Sequence, residues 1–402
     1  MERVLLAQLG AKGDCLYATI LARQLRQDFP DAQITWAIFD QNADLLANNP
    51  HVDEIWEIPL ADRGQTETMW RIFEREALRR CAGGEFDRVI FSQIAPENFQ
   101  NYDGTVRPSI LRAYGRPITV PIESVINLTS DEIGRVEQYV RDQSLEKFRH
   151  RILFECTAQS GQSFVNPDLA QAVAAEVYAR LPDATVIFTT HLPMKLKDDR
   201  SRYAGTLSLR EAAHLTHHCT LFVGSGSGGT VAASSTASAP LPMIQLLKKS
   251  TYVYASFAHD FEYFDIRDRA VLEMTDEHPA RIADCIAAVC RDGIALAFER
   301  FDARIPVGFD HYFKSIETYL LSRHRYLDAA RSLTATARRY GWTAELIRFG
   351  EERVARNLAL DPRWLFLSNR HEGERFRASL ADARANPVCV ARQGRWRDEN
   401  GR

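Results

Sequence analysis

Over residues 1–125 the apolar positions follow two rhythms. Short runs at residues 4–9, 33–39 (QITWAIF), 53–58 (DEIWEI) and 86–92 (FDRVIFS) have the length and density of buried strands. Residues 16–28 instead place Ile20, Leu21 and Leu25 on one face of a helix. Such alternation predicts a parallel sheet with crossover helices. Residues 96–116 are polar and broken by Gly and Pro, and read as a loop region. A polar connector helix is expected over 130–143, after Asn127-Leu128-Thr129. A second series then begins: strand 151–155 (RILFE), helix 168–180, strand 184–189 (ATVIFT), helix 209–217, strand 221–223, a small-residue helix VAASSTASA, and strand 243–247. Two such series predict an α/β chain of two Rossmann-like halves whose strand ends face a shared cleft.

From residue 309 the texture changes to helix-period segments rich in Arg, Ala and Leu, such as YFKSIETYLLSRHRYLDAARSLTATARRYG. This predicts a C-terminal α-helical extension without a fixed repeat period. The expected boundaries are 1–128 for the first half, 129–148 for the connector and 149–305 for the second half. The extension covers 306–385, and a polar, disordered tail covers 386–402.

Composition narrows the classes. A length of 402 residues suits two domains, and 45% hydrophobic with 26% charged residues is an ordinary soluble mix. A net charge of -3 carries no basic signature of a nucleic-acid partner. The seven cysteines (Cys15, Cys81, Cys156, Cys219, Cys285, Cys290 and Cys389) are scattered without a C-x-x-C. That pattern suits reduced thiols better than disulfides or a zinc site. The start runs directly into a strand rather than a secretory leader, and no apolar run approaches the ~20 residues of a membrane-spanning helix. The expectation is a cytoplasmic protein, compatible with peripheral contact at the inner membrane.

Ligands of open α/β sheets sit outside the carboxyl ends of the strands, so the turns carry the candidate chemistry. In the first turn, LGAKGD, Gly10 and Gly13 permit close approach of a ligand or the opposite half. Lys12 neighbours Asp14, which is either a first-turn helix aspartate or a general base aimed into the cleft. The turn is neither a P-loop nor G-x-G-x-x-G.

In the second half, the turn after RILFE offers Thr157, Ser160, Gly161, Gln162 and Ser163 as donors to a phosphate. Thr190 follows ATVIFT. The run Gly224, Ser225, Gly226, Ser227, Gly228, Gly229 and Thr230, between a strand and a helix, suits an anion nest for a diphosphate. His214, His217 and His218, with Glu211 one turn earlier, suggest packing more than a metal site, and no metal is expected. Tyr252, Tyr254, Phe257, Phe261, Tyr263 and Phe264 read first as core, with ring stacking on a ligand as the minor alternative.

Three stretches resemble glycosyltransferase family 9, the bacterial heptosyltransferases of lipopolysaccharide-core synthesis. They are RVLLAQLGAKGDCLYATILARQLRQDFPDAQITWAI with the following NPHVDEIWEI, then INLTSDEIGRVEQYV, then TLSLREAAHLTHHCTLFVGSGSGGTVAASSTASAP. The likeness spans residues 1–300 and leaves the extension outside. It implies the GT-B fold and a metal-independent, inverting transfer of a sugar. The donor would be a nucleotide-diphosphate sugar, acting as co-substrate with no further cofactor. The acceptor would be a bacterial envelope glycan or lipid-linked saccharide. By the resemblance Asp14 matches the family's general base, with the acceptor on the first half and the donor on the second.

A free aspartate, with a pKa of ~3.9, is a weak base for this step. The chain also departs from the family pattern, with Gly226 where Asp is common and Val231 where His is common. A phosphate-contacting lysine is missing from TAQSGQSFVNP, which leaves its work to the hydroxyls there or to Lys195 and Lys248. These departures keep a second expectation alive, a GT-B-fold binding or scaffold protein without turnover. A nucleotide-sugar epimerase, the third, would want more acid and base groups in the cleft.

Overall fold

The computed structural model describes residues 1–158, 160–305 and 307–386, without the side chains of 251–253. The tail expected to be disordered lies, except for Asn386, outside the described residues. So do Cys389 and the side chain of Tyr252.

The first half is a four-stranded parallel sheet in the order β3-β2-β1-β4. Its strands are β1 (Arg3–Ala7), β2 (Gln33–Phe39), β3 (Glu54–Ile58) and β4 (Arg88–Phe91). Alternate residues feed opposite faces. Val4 and Leu6 pack with Ile20, Leu21 and Leu25 of helix α1 (Lys12–Asp28). Leu5 and Ala7 pack with Trp70, Phe73 and Ala77 of α2 (Thr66–Ala82). A sheet covered on both faces explains why RVLLA is apolar at consecutive positions.

The stretch expected to be a loop, 96–116, holds helical structure instead. A short turn at Phe99–Asn101 precedes α3 (Val106–Arg112). Thr105 before a first turn containing Pro108 is a helix-start signal, and both side chains are buried or nearly so.

The connector helix α4 (Ser130–Asp142) opens on a capping box between Thr129 and Glu132. A six-stranded parallel sheet follows, ordered β10-β9-β8-β5-β6-β7. Its strands are β5 (His150–Glu155), β6 (Ala184–Thr189), β7 (Ser201–Tyr203), β8 (Leu221–Gly224), β9 (Met243–Leu246) and β10 (Val271–Met274). Helix α5 (Pro167–Arg180) and α9 (Pro279–Asp292) cover one face. Helix α6 (Leu209–Leu215) and α7 (Gly228–Ala232) cover the other, toward the first half. The helix expected over VAASSTASA is shorter, because α7 ends at Ala232 and the following Ser-rich stretch forms turns. Helices α8 (Phe257–Tyr263) and α10 (Ile294–Phe301) complete this half.

The extension comprises α11 (Asp310–Tyr319), α12 (Tyr326–Tyr340), α13 (Ala344–Phe349) and α14 (Leu367–Ala385). Its core, with Tyr312, Ile316, Leu327, Leu333 and Phe376, also takes in Phe99 and Tyr102 of the first half. One apolar cluster crosses between the two sheets, joining Ile20 and Leu21 to Leu153, Ile187 and Phe222. Among the described residues no helix is long and apolar enough to cross a membrane. The six described cysteines are free thiols.

Candidate active-site cleft

A cleft of about 860 Å³ opens at the carboxyl ends of both sheets. Its first wall is the turn after β1. Gln93, just beyond β4, holds that turn by accepting from the amides of Leu9 (2.9 Å) and Gly10 (3.1 Å). Asn42 donates to the Leu9 carbonyl at 3.0 Å. Helix α1 begins at Lys12 with Ala11 as its cap, and Ala11 supplies no side-chain bond, so Asp14 stands third in the helix. Its carboxylate reaches back to the Ala11 amide, the half of a capping box that an acidic residue at this position can make. Both readings of Asp14 are therefore compatible: it caps its own helix while lining the cleft.

Burial pushes the Asp14 carboxyl up to about 6, against the opposing pull of Arg107 and the Ala11 N–H. Arg107 lies on α3, in the stretch whose sequence gave no sign of a buried cation. Its Nε donates to Asp260 at 2.5 Å, and its guanidinium also donates to the carbonyls of Ala255 (3.2 Å) and Ser256 (3.0 Å). It stacks over Phe257 at 3.7 Å.

The opposite wall comes from the turns after β5, β6 and β8. Of the residues expected to bind a donor, Thr157, Ser160, Thr190, Ser227, Gly228 and Gly229 line the cleft, as do Gly10, Lys12, Gly13 and Asp14. The Thr157 and Thr190 hydroxyls lie 3.3 Å apart, and Thr157 Oγ1 lies 3.5 Å from His191 Nδ1. The rest are placed differently. Gly161 is exposed outside the cleft. Gln162, Ser163, Ser225 and Thr230 are buried side chains, and Gly224 and Gly226 are buried with them. Ser163 donates to the Leu246 carbonyl at the end of β9 at 2.5 Å, and Gln162 braces the loop from behind through the Gly226 carbonyl at 3.2 Å.

The glycine-rich loop does bind an anion, but one of its own. Glu155, the last residue of β5 and only 5% exposed, fills it. Its carboxylate accepts from the amides of Ser225 and Gly229, each at 2.8 Å, and from Thr230 Oγ1 at 2.9 Å. A short bond from Ser227 Oγ completes the set. A Cβ on Gly229 would fall 2.3 Å from Glu155 Oε1, so this glycine makes room for the carboxylate. The amide of Gly226 is also taken, by Gln245 Oε1 at 2.8 Å. The only hint of Glu155 in the sequence is an acidic residue ending an otherwise apolar strand.

Gly13 and Gly228 have a different reason. A Cβ on Gly13 would come within 3.0 Å of the Gly228 Cα, so the two halves meet backbone to backbone at the cleft floor. The extension adds His311, Ser315 and Tyr319 to the rim, beside Phe99 and Tyr102. Tyr319 stacks on Phe99 with centroids 4.1 Å apart, and Tyr254 on His311 at 4.8 Å. Of the aromatic run after β9, Phe257 is buried core, in line with the packing expectation.

Two parallel sheets that face each other across a cleft at their carboxyl ends, joined by a connector, make the GT-B architecture. Among solved structures, a family 9 glycosyltransferase from Veillonella parvula matches with a TM-score of 0.50 at 16% identity, over 80% of this chain and 97% of its own. The ADP-heptose lipopolysaccharide heptosyltransferase II of E. coli matches at 0.48 and 18%, over 73% and 99%. No family model and no curated protein matches the chain. The fold implied by the sequence resemblance is the fold observed.

Proposed function

We propose that the protein is an inverting, metal-independent glycosyltransferase with Asp14 as its general base. The observation that carries this reading is Asp14 itself, a half-buried carboxyl in a wide cleft with its pKa raised to about 6. It is ionised at neutral pH yet binds a proton about a hundredfold more tightly than a free aspartate, which answers the weakness of a pKa near 3.9. In the reaction the acceptor hydroxyl gives its proton to Asp14 as its oxygen bonds to the anomeric carbon. The bond from that carbon to the diphosphate breaks on the opposite face, and the nucleotide diphosphate leaves with the electron pair.

The leaving charge needs donors. With part of the glycine-rich loop engaged by Glu155, the side chains that face the cleft from the turns after β1, β5 and β6 include Lys12, Thr157, Ser160 and Thr190. The donor diphosphate accordingly lies against the turns after β5 and β6, beside the cleft-facing edge of the loop after β8 at Ser227 and Gly228. The sequence resemblance supports a bacterial envelope glycan or lipid-linked saccharide as acceptor, reached from the cytoplasmic face of the membrane.

One observation favours a second reading. A loop four of whose donors already serve Glu155 is what a GT-B-fold binding protein without turnover would display. Incubation with a panel of nucleotide sugars separates the two. The transferase reading predicts saturable binding of one donor and chelator-insensitive nucleotide release that Asp14→Asn abolishes. Binding without release would favour the scaffold.

A further inference from the structure

Away from the cleft, the connector helix and the second half meet along a line of paired charges. Arg210, only 2% exposed, donates to Glu132 through Nε at 2.6 Å and through a terminal nitrogen at 2.9 Å. Arg135 pairs with Glu211 at 2.5 Å, which together with the Ser208 capping box removes Glu211 from the histidine cluster. The next contact along this line is of another kind. Glu137 on α4 faces His214 of α6 and His218 of the turn that follows.

Both imidazoles aim the same atom at the same oxygen. His218 Nε2 lies 2.9 Å from Glu137 Oε1, and His214 Nε2 lies 3.9 Å from it. One ligand atom from each of the three residues lies within 4.8 Å of the others. A hydrogen bond accounts for His218 alone and leaves the convergence of His214 unexplained. Ligands at ~2.0–2.2 Å from a tetrahedral zinc ion are ~3.4 Å apart, a value that the two separations bracket. The fourth residue of the sequence cluster, His217, is turned elsewhere, with Nε2 at 3.2 Å from the Ala237 carbonyl.

We propose that Glu137, His214 and His218 form a binding site for a divalent first-row cation of zinc type, which clamps the connector helix to the second half. Two histidines four residues apart, one near the end of α6 and one in the turn after it, with a carboxylate from α4, make a three-ligand N₂O set that leaves the fourth position to water. The neighbouring ion pairs hold α4 against α6 independently, so the site is assembled before the ion arrives. All three side chains are half-buried, and none lines the cleft, so the role is structural and stands apart from the transfer chemistry. The histidine cluster expected only to pack thus gains its third ligand from the connector.

The test is calorimetric titration of the intact, chelator-stripped protein with zinc, repeated with cobalt to read the visible bands of a low-coordinate ion. One saturable equivalent is expected, together with a rise in thermal midpoint. His214→Gln with His218→Gln should abolish that equivalent, and Glu137→Gln alone should weaken it by roughly 10- to 100-fold. His217→Gln should leave it intact. Absence of a saturable equivalent would overturn the proposal, as would an equivalent that survives in the double variant. If the double variant fails to fold, Glu137→Gln decides: unchanged affinity there contradicts the site.

Discussion

Asp14 and Glu155 are carboxylates placed on opposite walls of one cleft and treated in opposite ways. Glu155 receives four donors, whereas Asp14 is held chiefly by one amide and a cation with other partners. The pH dependence follows with its sign. Because the folded protein raises the Asp14 pKa from 3.8 to about 6, the folded state binds this proton more tightly than the unfolded chain. Its contribution to stability is full below about 4 and is lost as pH rises through about 6. Under the proposed role activity runs the other way, since a protonated Asp14 cannot accept the acceptor's proton. The kcat/KM profile should show an acidic limb with an apparent pKa near 6, measured by nucleotide release from pH 4.5 to 9. Glu155→Gln should destabilise the fold by about 2–3 kcal/mol in denaturant titrations, because the amide replaces a charge-assisted acceptor with an extra donor. An unchanged midpoint would mean that the loop is held by other groups.

At the scale of elements, the extension is tied to both halves through Arg339 of α12. Its guanidinium donates to Thr105 Oγ1 at 2.7 Å and lies 3.6 Å from Asp103, both in the first half. It also reaches Asp260 of α8 at 3.3 Å. With Arg107 and Arg112 this forms a buried network of three cations and two carboxylates. Arg339→Met should destabilise by roughly 3–5 kcal/mol, since buried carboxylates lose a partner. A loss below about 1 kcal/mol would show that Arg107 and Arg112 suffice. Such ties explain what could be read from sequence. QITWAIF and ATVIFT were legible because a strand in a covered sheet shows its burial locally. Helix α3 was not, because its seven residues and the Thr105 before them are held partly by groups some 150 to 230 positions away. Strand β7 was not, because its three residues, Ser201-Arg202-Tyr203 at the sheet edge, carry no apolar run. Asp14 was legible from its turn, but Arg107 and Glu155 act through contacts that no local pattern encodes.

At the scale of the whole molecule, the halves are joined at the cleft floor by Gly13 against Gly228 and beneath it by a shared apolar cluster. Gly13→Ala would push a methyl group to 3.0 Å from the Gly228 Cα, and neither backbone can yield without moving its half. Under the proposed function transfer should fall several-fold with little change in thermal midpoint, and unchanged transfer would show that the floor yields without cost to the cleft. The extension closes the other side of the same cleft with His311, Ser315 and Tyr319. In this protein the rim is thus built partly from residues beyond the two sheets.

The central claim is that Asp14 removes the acceptor's proton. The most direct measurement is nucleotide release from the donor selected by the panel, with wild-type protein and Asp14→Asn side by side and donor affinity measured on both. The account predicts a loss of about 10²–10⁴ in turnover with donor affinity preserved. Equal turnover in the two proteins would contradict it and leave Asp14 as the cap of its own helix.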